Sequence, residues 1–422
     1  MTTCDRADAP GRVLVIGGGV IGLCCAYSLR RRGHEVTLVD SGEFGHGASA
    51  GNGGWVCPSL SGPVPAPGLL VHSLGWLLRR GSPLRIHATI EPSFAGWLFA
   101  FARHCNARAY RRGLEAVGQM ALSAPERFRA LAADGVRFEL HELGVMMLFA
   151  SRALAEVEMA ELQGSASLGG APAVMLEGAA LQEAEPAVGR TRLTGVLAPG
   201  DCHVRPEALI EGLVAWLREH GVELRPATEV TRFGLGGDGV RFAEAEGGER
   251  LCADAFVLAA GVATSRLASQ LGVRIPLRSG KGYSVTFASV SPSLNHAVYL
   301  SEAKVAISPY DGAIRVLGTM ELGTESVAVN PGRVEAMLQS SRRYLPELAL
   351  EGEGVPWAGM RPMVPDGLPV IGKAAPESNV VIATGHAMLG VTLGPVTGEM
   401  VAALLENRPT IHLPAALSPV RF

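Results

Sequence analysis

Lysine is almost missing from this chain: its 37 basic residues include only Lys281, Lys304 and Lys373. Arginine therefore serves solubility, and a lysine held between Gly280 and Gly282 beside Tyr283 stands out as a candidate site residue. Excess charge is missing too. A formal net charge of −3 gives no basic field to attract nucleic acid, which excludes that class of partner and leaves a small molecule as the expected one. The seven cysteines are odd in number, follow no CxxC spacing and sit in apolar stretches, so no metal site is expected and the compartment reads as reducing and cytoplasmic. Met1 to Gly11 carries Asp5 and Asp8 and no cationic stretch, so no secretory leader is expected. Nor is a membrane span expected, because the apolar run Val13 to Leu29 stops short of the ~20 residues a span requires and holds four glycines.

What the chain does have is length enough, at 422 residues, for two or three domains. It also has a glycine-rich turn placed where such a turn can bind an anion. Arg12 to Ile16 reads as a strand, Gly17, Gly19 and Gly22 follow in GxGxxG spacing, and Leu23 to Arg31 reads as a helix. In that order the first glycine permits the turn, the second lets backbone approach a pyrophosphate, and the third lets helix pack on strand. A second strand, Glu35 to Val39, ends on Asp40, an acid placed for a ribose diol. This predicts a dinucleotide site, and at this point both FAD and NAD remain open.

Further along, Ser41 to Pro58 (SGEFGHGASAGNGGWVCP) is a glycine-dense loop able to pass close to a ligand, and SGPVPAPG (Ser61 to Gly68) reads as a connector between domains. Leu69 to Ala133 is mostly helical, with Trp76, Phe94, Trp97, Phe99 and Phe101 on apolar faces and Arg108, Arg111 and Arg112 on a solvated one. His203 reads as a loop or cap histidine ahead of the helix Glu207 to His220. Two more strand-glycine-helix units follow, FVLAAG with Ala260 and Gly261, and NVVIATG ending at Gly385 ahead of HAMLGVTLGP. Three such units converging on one ligand suit a long cofactor, FAD, better than a compact NAD unit. The fold class is therefore α/β: a Rossmann-like FAD-binding domain of discontinuous segments, 1–60, 195–275 and 355–422, plus a sheet-and-helix substrate domain, 61–194 and 276–354.

These stretches together (GGGVIG with Asp40, GASAGNGG, FVLAAG, GKGYSVTF, GMRPMVPDGLPVIG and TGHAMLGVTLGPVTG) resemble the FAD-dependent amino-acid oxidoreductases of the D-amino-acid oxidase, glycine oxidase and D-amino-acid dehydrogenase group. The look is nearest to bacterial D-amino-acid and hydroxyproline dehydrogenases. The resemblance implies that Val20 and Ile21 sit under the pyrophosphate, that Asp40 and Ser41 hold the adenosine ribose, and that Ala48, Ser49, Asn52, Gly53 and Gly54 lie along the flavin. It places Val230 at the adenine and brings His386, Met388, Leu389, Gly390, Val391 and Thr392 to the pyrimidine edge of the flavin, where helix-end N–H groups stabilise negative charge on the reduced ring. Arg361 matches the carboxylate-binding arginine, whose planar fork suits that group. Some relatives have a second arginine where this chain has Met388. Tyr283 and Tyr310 are candidates to hydrogen-bond the substrate carboxylate, and Lys281 to act near the flavin.

The implied reaction moves a hydride from Cα of a small amino acid, a D-amino acid or a proline-like one, to flavin N5 and leaves an imino acid, with no dedicated general base. The electron acceptor, oxygen or a quinone or other carrier, stays open. No cysteine lies near Arg361, so FAD is expected to be non-covalent, with Cys57 the one other candidate for a link. Alternatives are a glycine or sarcosine-type oxidase, a flavin monooxygenase, which would need a second nucleotide site where no second GxGxxG occurs, and a flavin subunit working with partner chains. Apolar Leu69 to Leu78 and Phe94 to Ala102 are candidates for peripheral docking on the inner face of a membrane.

Overall fold

The computed structural model describes residues 11–71, 82–87, 91–166, 170–190, 192–237, 239–407 and 413–422. Trp76 and the larger part of Leu69 to Leu78 lie outside the described residues, as do Cys4, Asp5 and Asp8.

A six-stranded sheet organises the cofactor half. Its strands run in the order Glu223–Arg225, Glu35–Val39, Arg12–Ile16, Ala255–Leu258, Val380–Thr384, Val370–Lys373, all parallel except the last. Parallel strands are buried on both faces, which is why their sequences are unbroken aliphatic runs such as VLVI and VVIA. On one face lie the helices Val20–Arg31 and Gly390–Leu405, which cross so closely that a side chain at Gly398 would meet the backbone of Cys24 at 2.3 Å. On the other face a three-stranded antiparallel sheet, Val230–Cys252 overall, packs Val230, Phe233 and Val240 onto Leu14, Ile16 and Leu258. The α/β class and the Rossmann-like part are as expected.

A nine-stranded, mostly antiparallel sheet forms the second half, running from Val355–Met363 through Arg278–Phe287, Ala313–Leu322, Val305–Tyr310 and Ala297–Leu300 to Val145–Phe149, Thr194–Ala198 and Val174–Glu177, with Leu84–Ile86 added beside Ala313–Leu322. Its back is covered by the helix Pro331–Tyr344, whose Met337, Leu338 and Tyr344 pack on Val285, Phe287 and Val316. Its front faces the glycine-dense loop: a side chain at Gly51 would strike the Trp357 ring at 2.0 Å, and one at Gly53 would meet Leu317 at 2.9 Å.

Strand pairing puts two segments elsewhere than the sequence division placed them. Gly195–Ala198, from the strand Thr194–Ala198, and Val355–Met363, assigned to the nucleotide half, hydrogen-bond within the nine-stranded sheet. Helices Ala107–Leu122 and Ala124–Ala133, assigned to the substrate half, pack Val117, Met120, Phe128 and Leu131 into the core beneath Leu23 and Leu29. In the helix Pro92–His104, Phe94, Trp97 and Phe101 turn inward against Leu322 and Met363, while Phe99 stays 67% exposed. His203 is a buried strand residue, stacked on His141 and held through Nε2 to the Pro309 carbonyl at 2.7 Å.

Candidate active site

A cavity of about 550 Å³ opens at the carboxyl ends of the parallel strands, where an open α/β sheet offers a crevice for a ligand. Its floor is the glycine turn. Gly17 has φ +105°, and any side chain there would sit 2.4 Å from the Ala259 carbonyl; one at Gly22 would sit 1.7 Å from the Gly17 carbonyl. Gly19 meets only the Ser49 hydroxyl, at 3.4 Å, so its free face is the cavity itself. The helix that follows has no side-chain cap on Gly19, and the Val20 amide rests on Ser49 Oγ at 3.1 Å. Asp40 accepts from the Gly18 and Gly42 amides at 2.7 and 2.8 Å, which braces the turn and leaves lone pairs toward the cavity.

Of the cofactor residues named from sequence, Gly17, Gly19, Val20, Ile21, Asp40 and Ser41 line one end, with Val230 beside them. Ala48, Ser49 and Asn52 line the wall toward the nine-stranded sheet, and Ala260, Gly261, His386, Gly390 and Val391 the opposite side. The rest serve from behind. Gly22 and Gly54 are close-packed turns, Gly54 standing 1.7 Å, by its missing side chain, from the Val204 carbonyl. Gly53 gives its carbonyl to Ser308 and Tyr310 at 2.8 and 3.0 Å, and Thr392 donates to the Trp55 carbonyl at 2.8 Å. Gly385, with φ +73°, ends a strand and starts the turn in which Leu389 precedes the helix; Met388 points out to solvent.

The flavin loop is tied back by its carbonyls. Arg315 Nη1 donates to Ala50 and Asn52 at 2.9 and 2.7 Å, its Nε to Thr286, and its Nη2 to Glu207. Among the described residues the buried amides of Gly51 and Gly53 have no protein acceptor, though neither residue lines the cavity. The uncapped start of Gly390–Leu405 adds a second set of donors on the cavity, besides that of Val20–Arg31. The two uncapped helix starts, at Val20 and at Gly390, fit the pyrophosphate and the polar edge of a flavin, and the residues present suit FAD.

His386 lies against Thr397 Oγ1 at 3.0 Å through Nε2, and burial pushes its pKa down to about 3, so its ring is neutral at working pH. Trp357, Met360, Pro362 and Val327 complete the wall. Arg361 stands between two of them in sequence without itself being part of that lining. Its guanidinium lies flat over Gly282, where a side chain would meet it at 2.1 Å, and donates only to the Thr319 carbonyl at 3.3 Å and weakly to Met320 Sδ. Among the described residues it has no acidic partner, and burial alone pushes its pKa down to about 10.

The other three candidates for chemistry are otherwise engaged. The Tyr310 hydroxyl is spent on Gly53. Tyr283, 1% exposed, donates to Glu321 at 3.1 Å on the back of the sheet, where Arg333 and His87 also reach that carboxylate at 2.7 and 2.8 Å. Lys281 is buried on the same back face, donating to the Ala328 carbonyl with its ammonium 5.0 Å from the Tyr283 ring. Alternation along Arg278–Phe287 explains this, since Gly280 and Gly282 face Arg361 while residues 281 and 283 face away.

Arg315, Trp357 and Thr319 were not singled out in the sequence. An arginine between Ile314 and Val316 reads as the polar side of an exposed strand, and only the sheet stacked on the loop shows that it points inward.

Known proteins carry the same chain pattern. The profile of a family described as FAD dependent oxidoreductase matches residues 12–404. A D-amino acid dehydrogenase of Methylobacterium nodulans is 33% identical over 419 residues, covering 97% of this chain and 99% of that one. Among solved structures, glycine oxidase from Geobacillus kaustophilus superposes with TM-score 0.78 at 24% identity, over 98% of this chain and 99% of that one. L-proline dehydrogenase from P. horikoshii does so with TM-score 0.74 at 18% identity, over 99% and 98%.

Proposed function

We infer that this chain, which belongs to the FAD dependent oxidoreductase family, oxidises the Cα–N bond of a small amino acid, a D-amino acid foremost, and passes the electrons to a separate acceptor. The observation that carries the substrate class is Arg361: a half-buried guanidinium that among the described residues has no acid, and no acceptor at Nε and Nη2, suits a carboxylate from outside. The relatives named D-amino acid dehydrogenase support the D configuration.

Bound FAD supplies the two-electron acceptor for the hydride leaving Cα. Arg361 fixes the substrate by its carboxylate, and Gly282 gives that fork room. The helix start at Gly390 aims its dipole at the cofactor's polar edge. In this reading no dedicated base is assigned to Cα, so positioning is the protein's main contribution. The imino acid is then hydrolysed by water after release.

The cofactor is held non-covalently in this reading. No cysteine lines the cavity, and Cys57 is buried with its thiol toward the Cys202 carbonyl and its pKa raised by burial. The nucleotide-binding and substrate-binding parts correspond to the six-stranded and nine-stranded sheets. The six cysteines among the described residues are free, which supports a reducing, cytoplasmic setting. No helix among the described residues is long and apolar enough to cross a membrane. Exposed Leu70, Val71 and Phe99 support peripheral contact with a membrane-held acceptor, and a protein that fails to sediment with liposomes rules this out.

The test is anaerobic bleaching of the bound flavin by D- and L-amino acids, with proline, hydroxyproline, glycine and sarcosine in the panel. Bleaching by D-amino acids is expected, and slow recolouring in air marks a dehydrogenase where fast recolouring marks an oxidase. A flavin that no amino acid bleaches sinks the reading.

A further inference from the structure

Beside Arg361 the nine-stranded sheet breaks its rhythm. Tyr283 pairs with Gly318 and Lys281 with Glu321, so Gly282 alone opposes both Thr319 and Met320, which is a bulge. Thr319 takes φ +59° there, a conformation that opposes a β-branched side chain and that glycine would adopt freely. Its carbonyl accepts from Arg361 Nη1 at 3.3 Å, and its Oγ1 is buried with no partner. Three features thus coincide at one residue: a strained backbone, a re-aimed strand and an unsatisfied hydroxyl. Strain of this kind persists where surrounding structure enforces it, and it gathers at sites that use it.

Resting on the reading of Arg361 as the carboxylate anchor, we propose that Thr319 is the residue that receives the substrate's amino group, its Oγ1 accepting an amine N–H while the adjacent guanidinium holds the carboxylate. The two groups of an amino acid sit on one carbon, so an acceptor for the amine has to lie next to the fork that takes the carboxylate. Thr319 is bonded to that fork through its own carbonyl, which brings its hydroxyl-bearing side chain beside it. Binding the amine at Oγ1 also satisfies a group that otherwise remains buried and unpaired. A simple carboxylic acid without an amine engages Arg361 alone.

The test uses the FAD-loaded enzyme and its Thr319→Val, Thr319→Ser and Thr319→Gly variants. Two quantities are read: the apparent Kd for a reducing amino acid, from anaerobic flavin reduction, and the Kd for an aliphatic monocarboxylate, from the perturbed flavin spectrum. Thr319→Val keeps the branched shape and is expected to weaken the amino acid about tenfold while leaving the carboxylate within about twofold. Thr319→Ser restores amino-acid binding. Thr319→Gly relieves the backbone, so it folds at least as well, and shows the same selective loss as valine. Equal amino-acid binding in wild type and Thr319→Val overturns the proposal, and so does a parallel loss of both ligands, which marks a structural role. A wild type that binds the carboxylate but is reduced by no amino acid removes the amino-acid reading itself.

Discussion

Arg361, half-buried, and Arg315, buried, are guanidinia in opposite situations, and the contrast predicts different phenotypes. Arg315 is fully used by Ala50, Asn52, Thr286 and Glu207, so it is part of the scaffold under the flavin loop. Arg315→Gln leaves Glu207 without its partner and releases two loop carbonyls, a loss of roughly 3–5 kcal/mol of stability. Weaker retention of FAD on gel filtration, with a lowered Tm, is the expected result. Arg361 leaves Nε and Nη2 unused. Arg361→Lys keeps a charge but loses the fork, so FAD content stays at wild-type level while KM rises by about 100-fold, as two charge-assisted hydrogen bonds are exchanged for one poorer contact. Unchanged KM would take Arg361 out of the substrate site. The motif around Arg361 was legible because Gly359, two residues before it, and Pro362, directly after it, are local features of the chain. The fates of Lys281, Tyr283 and Tyr310 were not, because a strand's two faces are equivalent until the register decides which meets the ligand.

At the scale of elements, the strand-glycine-helix units could be read from sequence, since turn, helix start and strand end fall within about ten residues of one another. The nine-stranded sheet could not: it joins segments from Leu84 to Met363, and its pairing follows from long-range packing that no local pattern encodes. One contact of that long-range kind makes a pH prediction. Asp201, at the turn before the strand Cys202–Val204, is buried and accepts from the backbone and the hydroxyl of Ser59, just beyond the flavin loop. Burial raises its pKa to about 7, beyond what those hydrogen bonds lower it. The folded protein therefore binds this proton more tightly than the unfolded chain does. Its contribution is complete below pH ~4, the ordinary carboxylate value, and is lost as pH rises to about 7. Asp201→Asn removes the titration and keeps both Ser59 contacts feasible, so the difference in Tm, variant minus wild type, should grow between pH 5 and pH 8. A difference that stays flat over that interval would show that the carboxyl already ionises normally in the fold.

For the molecule as a whole, the cavity is the seam where the two sheets meet, and its walls come from residues 16–52, 228–267, 327 and 357–391. A ligand filling such a seam links parts that otherwise rely on their own packing, so the cofactor becomes part of the stability of the native state. Linkage fixes the size of the effect: at free ligand 100 times its Kd the native state gains about 2.7 kcal/mol. Stripping FAD should thus lower Tm by several degrees, with recovery that grows with the logarithm of added FAD. Fragments separate the two ends of the cavity. ADP meets only the glycine turn, Asp40 and Val230, and should restore part of the shift, whereas riboflavin meets only the wall from Ser49 to Asn52 with Trp357 and the helix start at Gly390. Because either fragment leaves the seam half open, the two shifts together should fall short of that given by FAD at equal occupancy. A full recovery by ADP alone would mean that the flavin end carries no load in holding the sheets together, and that the tied-back carbonyls of Ala50, Asn52 and Gly53 organise chemistry without organising the fold.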